Sequence, residues 1–146
     1  MSFSKNYAID AATGLIKREP AQAAVAASGY IGTQHDQGAA TATDMMLIAN
    51  IEAITVGGAT PENYRFRMVG SNLANRSDSE IIGEQHIGGA AQVGTGETRS
   101  AAAGDRVVLP FRTEKNRTKF RYVDLYLLVA GTAPSITFSA YVTKEI

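Results

Sequence analysis

The stretch that decides the fold is Phe120-Arg-Tyr-Val-Asp-Leu-Tyr-Leu-Leu-Val129, followed by Ala-Gly-Thr-Ala-Pro134 and then Ser135-Ile-Thr-Phe-Ser-Ala-Tyr-Val-Thr143. Every second residue is apolar: Val123, Leu125, Leu127 and Val129 in the first half, then Ile136, Phe138, Ala140 and Val142 in the second. Successive side chains of a strand point to opposite faces, so a period of two predicts two half-buried strands. The short Gly/Pro link predicts that they pair as a β-hairpin. Tyr126, Leu128 and Tyr141 fall on the outward positions. That is too much apolar surface for a one-sided sheet to leave in water, so either both faces are covered or one meets a neighbouring subunit.

Immediately before this stretch the chain is basic. Arg112, Lys115, Arg117, Lys119 and Arg121 crowd a turn, with Glu114 as the one compensating acid. At alternate positions Arg117, Lys119 and Arg121 are expected to project to one side, where they suit an acidic protein surface or phosphates. Lys115, Arg117 and Lys119 are therefore candidate contact residues. Arg65 and Arg67 alternate with Tyr64, Phe66 and Met68 in Asn63–Val69, which predicts another half-buried strand.

Further out, Met45, Leu47, Ala49, Ile51 and Ala53 make one clean apolar face, so a strand is favoured over a helix across Asp44–Ile54. Glu80–Ile87 reads as a strand with Gly83 at a bulge or close contact, and Asp105–Arg112 as a strand that Pro110 confines to a sheet edge or bulge. Ala21–Ser28 is read as extended despite its alanines, with Gln34–Gly38 as a loop after it. Gly88–Gly104 is nearly all Gly, Ala, Ser and Thr and is expected to be a long loop. Residues 1–22 lack a sustained period and are expected to form an extended N-terminal arm, with Phe3, Tyr7 and Ile9 as its apolar contacts. Seven or eight strands without a helix predict an all-β fold, an antiparallel jelly roll or β-sandwich, with a single domain over residues 23–146.

Composition bounds the function. The chain has 146 residues, enough for one core, and its 14 Lys plus Arg balance 14 Asp plus Glu. Zero net charge gives no global attraction to nucleic acid or anionic membrane and little protection against self-association. Without cysteine there are no disulfides, thiolate metal sites or cysteine nucleophiles. No apolar run has the length of a signal sequence or a membrane span, so a soluble, unprocessed protein is expected.

Candidate chemistry is sparse. His35 beside Asp36 and His86 near Glu84 lack a second paired ligand, so no metal site is assigned. No Gly-x-Ser-x-Gly elbow is present, and the glycines of Gly88–Gly104 have no lysine among them to hold a phosphate. No catalytic residue, cofactor or small-molecule substrate is expected.

Two segments carry a resemblance: Met68-Val-Gly-Ser-Asn-Leu-Ala-Asn-Arg-Ser-Asp-Ser-Glu-Ile-Ile-Gly83 and Val123-Asp-Leu-Tyr-Leu-Leu-Val-Ala-Gly-Thr-Ala-Pro-Ser-Ile-Thr-Phe138. In these, and in its size and strand content, the chain resembles the jelly-roll cementing, or decoration, proteins on the capsids of short-tailed bacteriophages. The resemblance implies a structural, non-enzymatic protein of the virion, on the outer capsid surface after assembly in the host cytoplasm. It also implies a homodimer that bridges major capsid protein subunits and makes no direct contact with nucleic acid. The family offers no functional residues to carry over, so the candidate interface stays as read from the residues: Phe3, Tyr7, Ile9, Lys115, Arg117, Lys119, Tyr126 and Tyr141. The rival expectation is a carbohydrate- or receptor-binding sandwich of a virion, with Tyr30, Tyr126 or Tyr141 stacking on sugars.

Overall fold

The computed structural model describes residues 7–8, 14–57, 62–88 and 102–145. The strands are β1 (Tyr7–Ala8), β2 (Ile16–Arg18), β3 (Gly29–Thr41), β4 (Asp44–Ile54), β5 (Asn63–Ser71), β6 (Glu80–Gly88), β7 (Arg106–Arg112), β8 (Glu114–Lys115), β9 (Thr118–Ala130) and β10 (Ile136–Glu145). They form two antiparallel sheets. In the first, β10 carries β1 and β2 along one side and β4 along the other, with β7 as the far edge; in the second the order is β3, β9, β5, β6, and β8 folds back on β9. No helix among the described residues is long and apolar enough to cross a membrane.

Leaving aside the two-residue strands, the pairing is nested. β2 pairs with β10, β3 with β9, β4 with β7, and β5 with β6. The chain changes sheet at every link between these strands except β5 to β6. The inward faces of β4 and β5 are the predicted alternations, Met45, Leu47, Ala49 and Ile51 from β4 and Tyr64, Phe66 and Met68 from β5; β7 adds Val107, Leu109 and Phe111. Pro110 lies on the edge strand, where its missing N–H costs least.

The closing stretch is not a hairpin. β9 belongs to the second sheet and β10 to the first, so residues 131–135 form an arch between layers. Val123, Leu125 and Leu127 and, opposite them, Ile136, Phe138, Ala140 and Val142 all have no exposure and belong to one core. The Phe66 and Phe138 rings meet edge to face at 5.2 Å across the layers. Alternation reports that a strand has one buried face, whether its chain neighbour lies beside it or opposite it. The arch itself shows what decides between the two. Gly131 has φ 116°, and a Cβ there would lie 2.6 Å from Glu62 Cα. The Ala133 N–H donates to Glu62 Oε1 at 3.2 Å, and the Ser135 N–H donates to the Tyr64 hydroxyl at 2.9 Å, which itself sits 2.7 Å from the Thr55 carbonyl oxygen. Buried partners from β5 and its approach thus pull the link out of the plane of either sheet.

Other expectations also shift. Part of the expected arm belongs to the sandwich: Leu15 is fully buried, the Val142 N–H donates to its carbonyl at 2.7 Å, and β2 pairs with β10. A segment too short to show a period can still be anchored by one core leucine and a vacant sheet edge. Gln34–Gly38 is part of β3, with register shifts on both sides that disguise its alternation. Ala21–Ser28 is irregular, held by a bridge between Val25 and Ile136 and, at its ends, by bonds from the Ala21 N–H to Glu52 and between Ser28 and Val129. Gly83 is a close contact, since a Cβ there would lie 3.2 Å from Phe111 Cβ.

Gly131→Ala is expected to cost at least about 2 kcal/mol, because it adds a clash to a positive φ. Urea denaturation measures it; a stability within error of the parent would remove the arch from the list of constraints.

Candidate interaction surfaces

The outward face of the second sheet is built by alternation. β9 presents Asp124, Tyr126 and Leu128, and β5 presents Val69, Arg67 and Arg65 as their cross-strand partners. Tyr30 of β3 pairs with Tyr126, and Glu84 of β6 pairs with Arg67. One row across four strands therefore reads Tyr30, Tyr126, Arg67, Glu84. The Tyr30 and Tyr126 rings meet edge to face at 5.0 Å. Arg67 Nε donates to Glu84, which also lies 3.8 Å from Arg65.

Above this face the β5–β6 loop is folded by Asp78, whose carboxylate accepts the Asn72 and Leu73 N–H groups at 2.9 and 3.1 Å. It delivers Arg76, held at φ 63°, onto Asp124 through Nε and Nη2, both at 3.0 Å. Gln34 Nε2 donates to the same carboxylate at 2.9 Å. Asp124 is 2% exposed, so this fork and amide replace the water it lost. The Arg76 guanidinium also lies 4.3 Å from the Tyr30 ring centre. The ring expected to stack on sugars already has a cation on its face.

Beneath the sheet lies a second buried charge. Lys17 of β2 points between the layers and donates to the carbonyl oxygens of Thr33 at 2.7 Å and Val123 at 3.3 Å. Burial pushes its pKa down from 10.5 to about 8, against the pull of Asp124 and with the push of Arg76. Neither Lys17 nor the Arg76–Asp124–Gln34 set was foreseen. The one available signal was Asp124, the one carboxylate in β9; nothing in the sequence marks Arg76 as its partner.

The outward face of the first sheet is different in kind. Ile16, Tyr141, Ile48 and Val108 form one row across β2, β10, β4 and β7, with Met46 and Pro110 beside it. Val108 is 46% exposed. Polar groups border this apolar band on both sides: Arg106 Nε donates to Asn50 Oδ1 at 2.9 Å, and Arg112 pairs with Asp44 at 3.1 Å. Beside Tyr141, a cleft of about 270 Å³ is lined by Ile16, Arg18, Pro20, Asn50 and Ser139. Tyr126 and Tyr141 therefore lie on opposite faces of the sandwich, not on one contact surface, because β9 and β10 belong to different sheets.

The basic turn is a third surface. β8 and the start of β9 pair around Asn116 and Arg117, which have φ 50° and 69°. Arg117 thus occupies the turn itself and does not continue a line with Lys119 and Arg121. Arg121 is turned away, donating from Nε and Nη2 to Asp36 at 2.8 and 3.0 Å. These bonds and the Gly38 N–H push the Asp36 pKa down to about 2. Lys115, Arg117 and Lys119 are exposed, and among the described residues their side chains meet no carboxylate. A left-handed conformation costs a residue other than glycine roughly 1–2 kcal/mol, and Arg117 bears it at the tip.

His35 and His86 lie on β3 and β6, the two edges of the second sheet, at least about 14 Å apart at ~4.8 Å per strand, so they cannot share a metal ion. Their neighbours Asp36 and Glu84 are engaged by Arg121 and Arg67. Of the arm residues, Phe3 and Ile9 lie outside the described residues, and Tyr7 pairs through its backbone with Glu145. Compared with known proteins, the chain matches no family model and no curated protein.

Lys17 makes stability depend on pH. Below pH 8 folded and unfolded chains both carry its charge, and the fold bears the full cost of burying it, about 3 kcal/mol. From 8 to 10.5 the folded chain releases the proton first, so the unfolded state binds more protons and stability climbs. Unfolding free energy measured from about pH 7.5 to 10 should rise in the parent and stay flat in Lys17→Met. A rise of equal size in the variant would assign the effect elsewhere.

Proposed function

We propose that this protein is a capsid decoration protein with a jelly-roll fold, a homodimer that binds the outer surface of a phage shell and bridges major capsid subunits. The nested pairing supports the jelly-roll reading. First strand with last, second with second-last, and so inward, is the order produced when one long antiparallel ribbon rolls into two sheets, a form used by capsid and lectin domains.

The observation that carries the functional reading is that both broad faces hold contact groups. A cement has to touch two things at once. The second sheet offers Tyr30, Tyr126, Leu128 and Arg67, the tyrosine and arginine chemistry of interface hot spots, and the first offers its apolar band with a polar rim. The first face also suits a second copy. Its acids, Asp44 and Glu52, lie on β4 and its arginines, Arg106 and Arg112, on β7. A two-fold axis parallel to the strands and between β4 and β7 sets Ile48 over Val108 of the second copy, Met46 over its Pro110 and Asp44 over its Arg112. Sheets packed this way remain aligned. The second face is then free for the shell, and repetition over an icosahedral surface turns weak contacts into strong attachment.

The mass in solution and co-sedimentation with empty shells of a phage carrying this chain test the proposal together. A dimer that pellets saturably is the expected result. Val108→Asp should weaken the dimer at least about tenfold while leaving the fold intact, since it places an unpaired carboxylate on an exposed position in the band. Tyr126→Ala should weaken shell binding by a similar factor and leave the dimer unchanged. A protein that stays in the supernatant at every concentration would sink the reading.

A further inference from the structure

We infer that the Asn116–Arg117 tip is an electrostatic docking finger for a carboxylate-rich protein surface. The inference deepens the proposed function by naming the chemistry of one contact, and it rests on that reading only for the partner's identity as a shell.

Two observations carry it. Nearby cations are neutralised from within: Arg112 by Asp44 at 3.1 Å, Arg121 by Asp36 at 2.8 Å, and Arg76 by Asp124 at 3.0 Å. Lys115, Arg117 and Lys119 are not, among the described residues. Their charge is displayed. The second observation is strain. A two-residue turn with positive φ at both positions favours glycine at the second, yet Arg117 stands there at 69°. Strain kept in a folded chain points to a use for the side chain that bears it.

The finger is also held in place. Thr113 is fully buried at its root, where its hydroxyl donates to the Thr41 carbonyl at 2.6 Å and accepts the Thr43 N–H at 2.8 Å. Asn72 clamps the outgoing strand, donating to the Lys119 carbonyl and accepting the Arg121 N–H, both at 2.9 Å. The braced turn has little backbone freedom to lose on binding, which favours a fixed cluster of partner carboxylates.

The surroundings decide between protein and nucleic acid. Asp36, Asp44 and Glu114 are already paired with Arg121 and Arg112, so the displayed charge is confined to the three cations of one turn. That is the size of a compact carboxylate cluster and not a track for a long polyanion. The chain as a whole is neutral and has no field to gather a duplex.

Amide chemical shifts of the full chain, titrated with oligoglutamate or with duplex DNA at low and at high salt, provide the test. Oligoglutamate should move amides of residues 112–121 at low salt, and the shifts should fade at high salt. Arg117→Gly should reduce that affinity about threefold, with a thermal midpoint no lower than the parent's, because glycine relieves the turn. An arginine kept for the fold would give the opposite pattern, a lower midpoint with unchanged binding. Lys115→Ser with Lys119→Ser, both at exposed positions, is the second variant and should weaken binding further. Unchanged binding in either variant, or tighter binding of duplex than of oligoglutamate, overturns the inference. Oligoglutamate binding by a protein that ignores shells would leave the finger standing and remove the decoration role.

Discussion

The structure depends on the opposition of β9 and β10. Consecutive strands with fully apolar inner rows have two ways to leave water, side by side in one sheet or face to face in two. The link Gly131–Ser135 takes the second because Glu62 and the Tyr64 hydroxyl occupy the space and the hydrogen bonds that it needs. That arch places β10 in the first sheet and β9 in the second, and the other strands pair around them in nested order. Each sheet buries one row of side chains against the other, which leaves two broad outer faces with different chemistry.

The outer face of the second sheet is organised by charge removed from water. Asp124 is held by Arg76 and Gln34, and on the inner side of the same strand the Val123 carbonyl accepts from Lys17. These bonds tie β2, β3, the β5–β6 loop and β9 to a single point on β9. Such buried ions add little to stability, and Lys17 subtracts from it, because desolvation offsets or exceeds their attraction. Their value is in geometry: Arg76 braces Tyr30, and Tyr30 braces Tyr126. A face of aromatic rings with fixed orientation loses less freedom on binding than the same rings on a mobile surface.

What was legible in the sequence is what period two encodes. Leu47, Phe66, Leu125 and Phe138 were placed on inner rows by alternation alone, and Pro110 at an edge or bulge by its missing donor. Whether β9 pairs with β10 or faces it was not legible, because both arrangements bury the same residues. Leu15 was missed because one leucine has no period. Gln34 and His35 were missed as strand residues because bulges shift the register around them. Tyr126, Leu128 and Tyr141 were read as outward, and they are, but the division between two faces depends on the arch. The basic turn was visible as composition; that Arg117 sits on the tip with positive φ, and that Arg121 is spent on Asp36, are facts of pairing that charge counting does not contain.

The outer surfaces differ in how they resist salt and substitution, and this separates their roles. A contact made by the band of Ile16, Ile48, Val108 and Tyr141 would rest on apolar burial, which salt does not screen. A contact made by the tip at Arg117 would rest on exposed charge, which salt screens within about 10 Å at 0.1 M. A slab that joins copies of itself through the first and finds an acidic surface through the second would stay assembled under conditions that release it from its partner. Attachment and self-association in such a protein would be separable because they rest on different forces, at different surfaces of a core that the β9–β10 arch made two-layered.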